Sequence, residues 1–279
     1  MFDSPPQSSE KPIRSIARAI HVMQAINRFG ALNMTQISNL VGLPYPTTCR
    51  VVNTLLTEGV IERETSRKFY RPTALAQSLS CGYHARSRLI AIARRHIEQL
   101  TQVTSWPISL SSRVGRNMVI QDSTHALTTM TFSEYPPGYT MPLLSSASGL
   151  VYLASLPLAQ RNDLLGQIEF DPVSNPEARL IQNDPDRYFQ NIRDLGYATF
   201  IKNPHTKDPG KTSSIAVSLH RKDELVGCMT LIFFSSAMRV ADAYDRFGAQ
   251  LRQAQDAINA DLASMKLFNP EELDLGIEA

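Results

Sequence analysis

The chain has 279 residues, 43 % of them apolar and 19 % charged, which gives room for two domains with ordinary packed cores. Cys49, Cys81 and Cys228 are isolated and odd in number, and the six histidines show no paired spacing. A disulfide framework and a zinc site are therefore excluded as expectations, and a reducing cytoplasm is expected. The formal net charge of +2 hides an uneven distribution: through residue 80 nine Lys or Arg face five acids, net +4, whereas beyond residue 260 Lys266 stands alone against five acids. The basic end is the candidate nucleic-acid end.

In chain order, residues 1–12 are polar and proline-rich with no apolar core, and read as a disordered segment rather than a signal peptide. Ser15 is placed to cap a helix through Phe29 that carries Ile16, Ala19, Ile20, Met23 and Ile26 on one face and stops at Gly30. Arg14 and Arg18, at its start, either touch phosphate or, as is commoner for a single exposed arginine, are simply solvated. Thr35 is the expected cap of a short helix with Ile37, Leu40 and Val41 at spacings of three and four, and Gly42 supplies the backbone angle that ends it. Pro44 and Pro46 favour an extended approach and then a fixed φ, which predicts Pro46 at the first position of a second helix.

On that second helix Thr48, Val52, Leu55 and Leu56 form an inward stripe. Thr47, Arg50 and Thr54 recur on the opposite face, with Cys49 and Asn53 beside it. Short hydroxyls permit close approach to phosphate or a thymine methyl, and a guanidinium pairs with guanine or clamps phosphate. After Glu58-Gly59, residues 60–63 and 68–71 predict a basic hairpin whose Arg63, Arg67, Lys68 and Arg71 lie along a phosphate backbone. The order helix, glycine turn, polar-faced helix and basic hairpin predicts a winged helix-turn-helix over residues 13–75. Its DNA-binding set is Thr47, Thr48, Arg50, Asn53, Thr54, Arg63, Lys68 and Arg71, with Thr48 included although it also falls on the inward stripe; the partner is double-stranded operator DNA.

Residues 76–104 predict a linker helix with Leu89, Ala93, Ile97 and Leu100 on one face and Arg86, Arg88, Arg94 and Arg95 on the other. Periodicity alone leaves open whether the apolar stripe packs on a twin chain or on its own domain. From Trp106 onward come short β-like runs at residues 107–112, 118–121, 127–132, 197–202, 213–220 and 225–234. Helices are expected over 146–155, over 158–166, between Asp184-Pro185 and Gly196, and from about Val240 to Leu267. The fold class is thus α+β: the winged helix-turn-helix, the linker, an antiparallel-sheet domain over residues 105–268 and an acidic tail at 269–279. The longest apolar run, residues 225–234, is too short to span a bilayer, so no membrane partner is expected.

Enzyme chemistry finds little support. Ser146-Ala147-Ser148-Gly149 lacks the glycine two residues before a nucleophilic serine, and Cys228 lies in an apolar strand where packing is the ordinary role. No catalytic residue, metal ligand or cofactor is assigned. His125, in Asp122-Ser123-Thr124-His125, is either a turn residue at a strand end or an acid-recognising group.

The order Ile37-Ser38, Gly42-Leu43-Pro44, Thr47, Arg50, Leu55, Gly59 and Tyr70 resembles the amino-terminal domain of the isocitrate lyase regulator (IclR) family of bacterial transcription factors. Met141-Pro142-Leu143-Leu144, Ser146-Ala147-Ser148-Gly149, Leu153-Ala154, Leu195-Gly196-Tyr197-Ala198, Ser214-Ile215-Ala216-Val217 and Val226-Gly227 are similar in order and spacing to its effector-binding domain. The resemblance covers about residues 14–260. It implies a GAF-like antiparallel sheet, a homodimer or dimer of dimers on a pseudo-palindromic operator, a small-molecule effector and RNA polymerase as a further partner.

Carried over position by position, the resemblance puts pocket walls at Met130, Ser133, Met141, Gly149, Leu150 and Phe200, with Thr212, Ser214, Cys228 and Thr230 on the central strands. Ser214, Thr230 and the backbone N–H groups around Ser148 and Gly149 suit a carboxylate, while Met and Phe suit a planar or aliphatic body. Phe200 stands where some relatives carry an acid and argues for a larger, more apolar ligand. Residues 141–154 and 226–238 are most similar to the subgroup that controls breakdown of aromatic acids such as hydroxyphenylpropionate. That similarity implies an aromatic carboxylate effector and a ligand-dependent activator. The rival readings are an enzyme or metal-binding protein with an incidental helix-turn-helix, and a DNA-binding protein that takes no ligand.

Overall fold

The computed structural model describes residues 13–64, 67–84, 88–133, 135–168, 176–204 and 206–264. The expectations for residues 1–12, for the acidic tail and for Arg86 lie outside them. The chain divides into two compact units, Met1–Ser87 and Arg88–Ala279.

In the first unit, α1 (Arg14–Phe29), α2 (Met34–Val41) and α3 (Tyr45–Thr57) surround a core of Val22, Ile26, Ile37, Val52 and Ile61. Each of these aliphatic side chains contributes roughly 1.5–3 kcal/mol by leaving water. The cap of α1 is not Ser15. The Ile13 carbonyl accepts from Ile16 and Ala17, so Ser15 already sits inside the first turn. The buried face of α1 is Val22, Ala25 and Ile26, while Ile16 and Ile20 are 56 % and 51 % exposed, because the core forms against the carboxy-terminal half of the helix.

The cap of α2 is Asn33 rather than Thr35. Its side chain accepts from the Gln36 N–H and the Gln36 side chain accepts from the Asn33 N–H, both at 2.9 Å, a reciprocal box that satisfies two free donors at once. Gly42, at φ 62°, then ends α2 in the left-handed region as expected. Helix α3 starts one residue before Pro46, yet the missing proline donor still falls in the first turn, where no intrahelical acceptor exists.

The hairpin forms as β2 (Ile61–Arg63) and β3 (Phe69–Pro72), antiparallel. A strand that the sequence pattern does not signal, β1 (Leu32–Asn33), pairs with the other edge of β3 and ties the wing to the start of α2. The single linker helix resolves into α4 (Leu75–His84), in the first unit, and α5 (Arg88–Thr104), in the second.

The second unit is built on a six-stranded antiparallel sheet in the order β6-β5-β4-β9-β8-β7. Its strands are β4 (Ile108–Val114), β5 (Asn117–Ser123), β6 (Thr140–Pro142), β7 (Ala198–Phe200), β8 (Thr212–Arg221) and β9 (Glu224–Phe234). Strand alternation sorts the side chains. Ile215, Val217 and Leu219 of β8 and Met229, Leu231 and Phe233 of β9 pack with α5 and α10 (Val240–Ser264). Ala93, Ile97 and Leu100 of α5 are buried in this same core, which places the open apolar stripe on its own domain. Nor is the basic face of α5 merely solvated: Arg94 pairs with Glu98 and Asp122, and Arg95 with Asp261.

The opposite sheet face is covered by α6 (Ala147–Ser155), whose cap Ser146 accepts from the Gly149 N–H at 3.1 Å. Gly149 is required by packing, since a Cβ there would lie 2.0 Å from the Leu143 carbonyl oxygen. Helices α7 (Leu158–Gly166), α8 (Pro176–Asn183) and α9 (Pro185–Leu195) complete this layer, α9 between the expected Asp184 cap and Gly196. Residues 127–132 form no strand: Thr128 donates to the Ser105 carbonyl and Thr131 to that of Ser133. Such local bonds offer the backbone an alternative to a ladder.

Candidate DNA-binding surface and candidate ligand cavity

Helix α3 presents Arg50, Asn53 and Thr54 to solvent with Thr47 half-buried beside them. The Thr54 hydroxyl donates to the Arg50 carbonyl at 3.0 Å, leaving its oxygen lone pairs and methyl outward. Thr48 is corrected: it is fully buried, donates to the Pro44 carbonyl at 3.3 Å, and belongs to the core with Val52 and Leu55. The inward stripe, not the groove set, describes it. Ser15, Arg18 and Ala19 of α1 join Thr47, Arg50 and Thr54 around an open hollow of about 720 Å³, so α1 lends a second guanidinium to the face that carries Arg50.

On the wing, Arg63, Arg67 and Lys68 are exposed. Arg71 is exposed too, but its Nε lies 2.7 Å from Glu62, the residue opposite it across the strands. An ion pair this exposed is worth at most about 1 kcal/mol, so a phosphate can compete for the guanidinium.

The second unit contains a cavity of about 450 Å³, part of it open to solvent. Strand β4 brings Ser109 and strand β9 brings Thr230, which are register partners; β8 adds Thr212 and Ser214, the latter opposite Ile232. These residues share the sheet face turned away from α5 and α10. The amino-terminal end of α6 contributes Ser146, Ala147 and Ser148, while Ile120, Met141, His125, Tyr135, Asn203 and Thr206 complete the wall. The Asn203 amide donates to the Ser145 carbonyl at 2.9 Å and the Ser148 hydroxyl to Ser146 at 3.3 Å.

Two wall groups have no hydrogen-bond partner among the described residues. His125 is 2 % exposed with both ring nitrogens unpaired, and the Thr230 hydroxyl is likewise unpaired. Each buried polar atom left this way costs roughly 1–3 kcal/mol. Burial, with the Lys207 charge as a smaller contribution, lowers the His125 pKa to about 4, so the imidazole is neutral at neutral pH.

Of the effector positions inferred from resemblance, Met141, Ser148, Ser214 and Thr230 line the cavity, with Thr212. Met130 and Ser133 line a smaller hollow of about 220 Å³ that shares Tyr135, Thr212 and Ile232 with it. Gly149, Leu150, Phe200 and Cys228 are corrected, since none reaches the cavity wall. Gly149 is held against the Leu143 backbone, and Leu150, Phe200 and Cys228 fill the core between α6 and the sheet. The Cys228 thiol donates to the Ser148 carbonyl at 3.3 Å, and burial pushes its pKa far up, which removes it as a nucleophile.

Ser109, Tyr135, Asn203 and Thr206 were not anticipated. Alternation with Ser111 and pairing to Thr230 would have found Ser109. Asn203 and Thr206 sit in an irregular loop with no period to read. Among the described residues there is no cluster of His, Cys, Asp or Glu suited to a metal, and no helix is long and apolar enough to cross a membrane.

Residues 15–65 match the IclR helix-turn-helix domain, and residues 81–260 match the domain described as bacterial transcriptional regulator IclR C-terminal. The chain belongs to the IclR family. That family comprises DNA-binding transcription factors rather than enzymes, with a helix-turn-helix unit and an effector unit.

Among its relatives, the HTH-type transcriptional regulator TtgV of Pseudomonas putida is 28 % identical over 160 residues, 56 % of this chain and 59 % of that protein. TsaQ1/TsaQ2 of Comamonas testosteroni is 23 % identical over 155 residues, 55 % of each. The chain thus spans less than two thirds of the length of the curated relatives it matches.

An IclR family regulator from Brucella abortus superposes with a TM-score of 0.64 at 22 % identity, covering 93 % of this chain and 96 % of that one. An IclR homolog from Microbacterium hydrocarbonoxydans, solved as a complex with 4-hydroxybenzoate, gives 0.63 at 20 % identity, covering 90 % and 100 %. At these identities the likeness establishes the shared fold.

Proposed function

We propose that the chain is an effector-controlled operator-binding regulator whose ligand is an aromatic carboxylate of a catabolic pathway. The observation that carries the ligand reading is the cavity itself. It is a largely apolar space under the amino-terminal end of α6, with the buried Thr230 hydroxyl and the His125 imidazole lacking partners among the described residues. A helix start favours negative charge and free hydroxyls orient it, while Ile120, Met141, Ala147 and Ile232 accept a flat apolar body. The 4-hydroxybenzoate complex of the Microbacterium hydrocarbonoxydans homolog supports this ligand class.

On the DNA side, Thr47, Arg50, Asn53 and Thr54 read base edges and Arg63, Lys68 and Arg71 follow phosphates, in a homodimer or dimer of dimers acting in the cytoplasm. Ligand favours one arrangement of the assembly, and operator affinity or polymerase contact changes with it; the sign is activation. Calorimetric titration with benzoates, phthalates, phenylpropanoates and short keto acids tests the ligand class. Heat from the aromatic acids is expected, and heat from the keto acids alone would overturn it.

A further inference from the structure

The imidazole of His125 is held where the described residues give it nothing to bond. It follows β5 in a short helical turn, His125–Leu127, and the Tyr135 ring lies against it with centroids 4.9 Å apart. The Tyr135 hydroxyl faces elsewhere, accepting from the Lys207 N–H at 3.2 Å. Asp122, at the end of the same strand, is engaged by the Arg94 guanidinium at 2.5 Å and by the Ser123 N–H at 2.8 Å. On the loop that carries Lys207, Asp208 accepts from the Ser133 hydroxyl at 2.6 Å. The charge that acts on the imidazole is therefore positive, from Lys207, and no carboxylate of the described chain reaches it.

We infer that His125 is a ligand-contacting, specificity-determining residue that donates a hydrogen bond to the anionic group of the effector and takes up a proton when that group arrives. This rests on the carboxylate reading above. A neutral imidazole keeps one N–H donor and one acceptor nitrogen, so it pairs with an anion through its donor even before protonation. An anion at that donor then stabilises the imidazolium, and the bond becomes charge-assisted. The proton comes from solvent and resides on the second ring nitrogen. Uncharged ligands of the same shape gain the hydrogen bond without the proton, so the site discriminates acids from their amides.

The test is calorimetry on the full chain at about pH 5.5 and about pH 7.5, in two buffers of different ionisation enthalpy, with proton uptake as the readout. The probes are benzoate, 3-phenylpropionate and their amides. The carboxylates are expected to bind with net proton uptake and about tenfold more tightly at the lower pH, the amides with neither effect. His125→Gln, which keeps a donor but does not titrate in this range, is expected to bind the carboxylates without uptake and with equal affinity at both pH values. Carboxylate binding to the unaltered chain without proton uptake would overturn the role of His125 and leave the ligand class standing. Absence of binding by either carboxylate at either pH would overturn the ligand class and the inference together. The proton count on the unaltered chain needs no variant, so the result stands even if the substitution impairs folding.

Discussion

The two units treat their polar groups in opposite ways. Helix α3 and the wing hold Arg50, Asn53, Thr54, Arg63 and Lys68 in water, whereas the second unit buries Ser109, Ser214, Thr230 and His125 around a cavity. A surface for a polyanion waits in solvent without penalty, because water satisfies every donor until phosphate replaces it. A cavity for a small ligand leaves donors unmet, and that deficit is recovered only when the ligand binds. Charge pattern therefore exposes the first kind of site, and unpartnered burial exposes the second.

Substitutions that strike the framework rather than either site should have the largest effect. Gly149→Ala forces a Cβ against the Leu143 carbonyl and is expected to cost more than about 3 kcal/mol, read as a lowered urea midpoint. The next effect is acid sensitivity in the second unit. With its folded pKa near 4, His125 binds fewer protons folded than unfolded, so the chain loses stability as pH falls from the ordinary histidine value near 6.5 to about 4. That window is worth about 3 kcal/mol at most, and urea titrations should show it shrinking in His125→Gln.

A sharper comparison comes from two residues on one helix. Arg50→Ala should reduce the preference for operator over random DNA by about 2 kcal/mol in fluorescence anisotropy. Thr48→Val, two residues away but buried, should leave that preference unchanged and shift stability by about 1 kcal/mol. Smallest and least sequence-dependent is Lys68→Ala, expected to weaken operator and random DNA alike and to lower the salt slope by about 1.

Local signals with a single physical meaning were legible in the sequence. Gly42 ended α2, Asp184-Pro185 opened α9 and Gly196 closed it. Where two residues competed for one role, the outcome depended on partners that only the fold supplies. Asn33 displaced Thr35 because Gln36 could return its bond, and α1 turned away from Ile16 and Ile20 because the core met it further along. The cavity was half legible. Ser214 and Thr230 follow from the family resemblance, but Leu150 and Phe200 share the same apolar character whether they line a space or fill it. Asn203 and Thr206 enter through a loop with no pattern.

The central claim, that a ligand in the cavity of the second unit changes what the first unit does on DNA, is tested most directly by operator affinity. Anisotropy on DNA selected from a random pool by the full chain would be measured with and without 3-phenylpropionate or benzoate. Saturating carboxylate is expected to shift the operator Kd or its salt slope, and a Ser214→Val/Thr230→Val double variant to lose that shift while keeping the ligand-free affinity. Calorimetrically confirmed binding of the carboxylate with an unchanged operator affinity and salt slope would contradict the account.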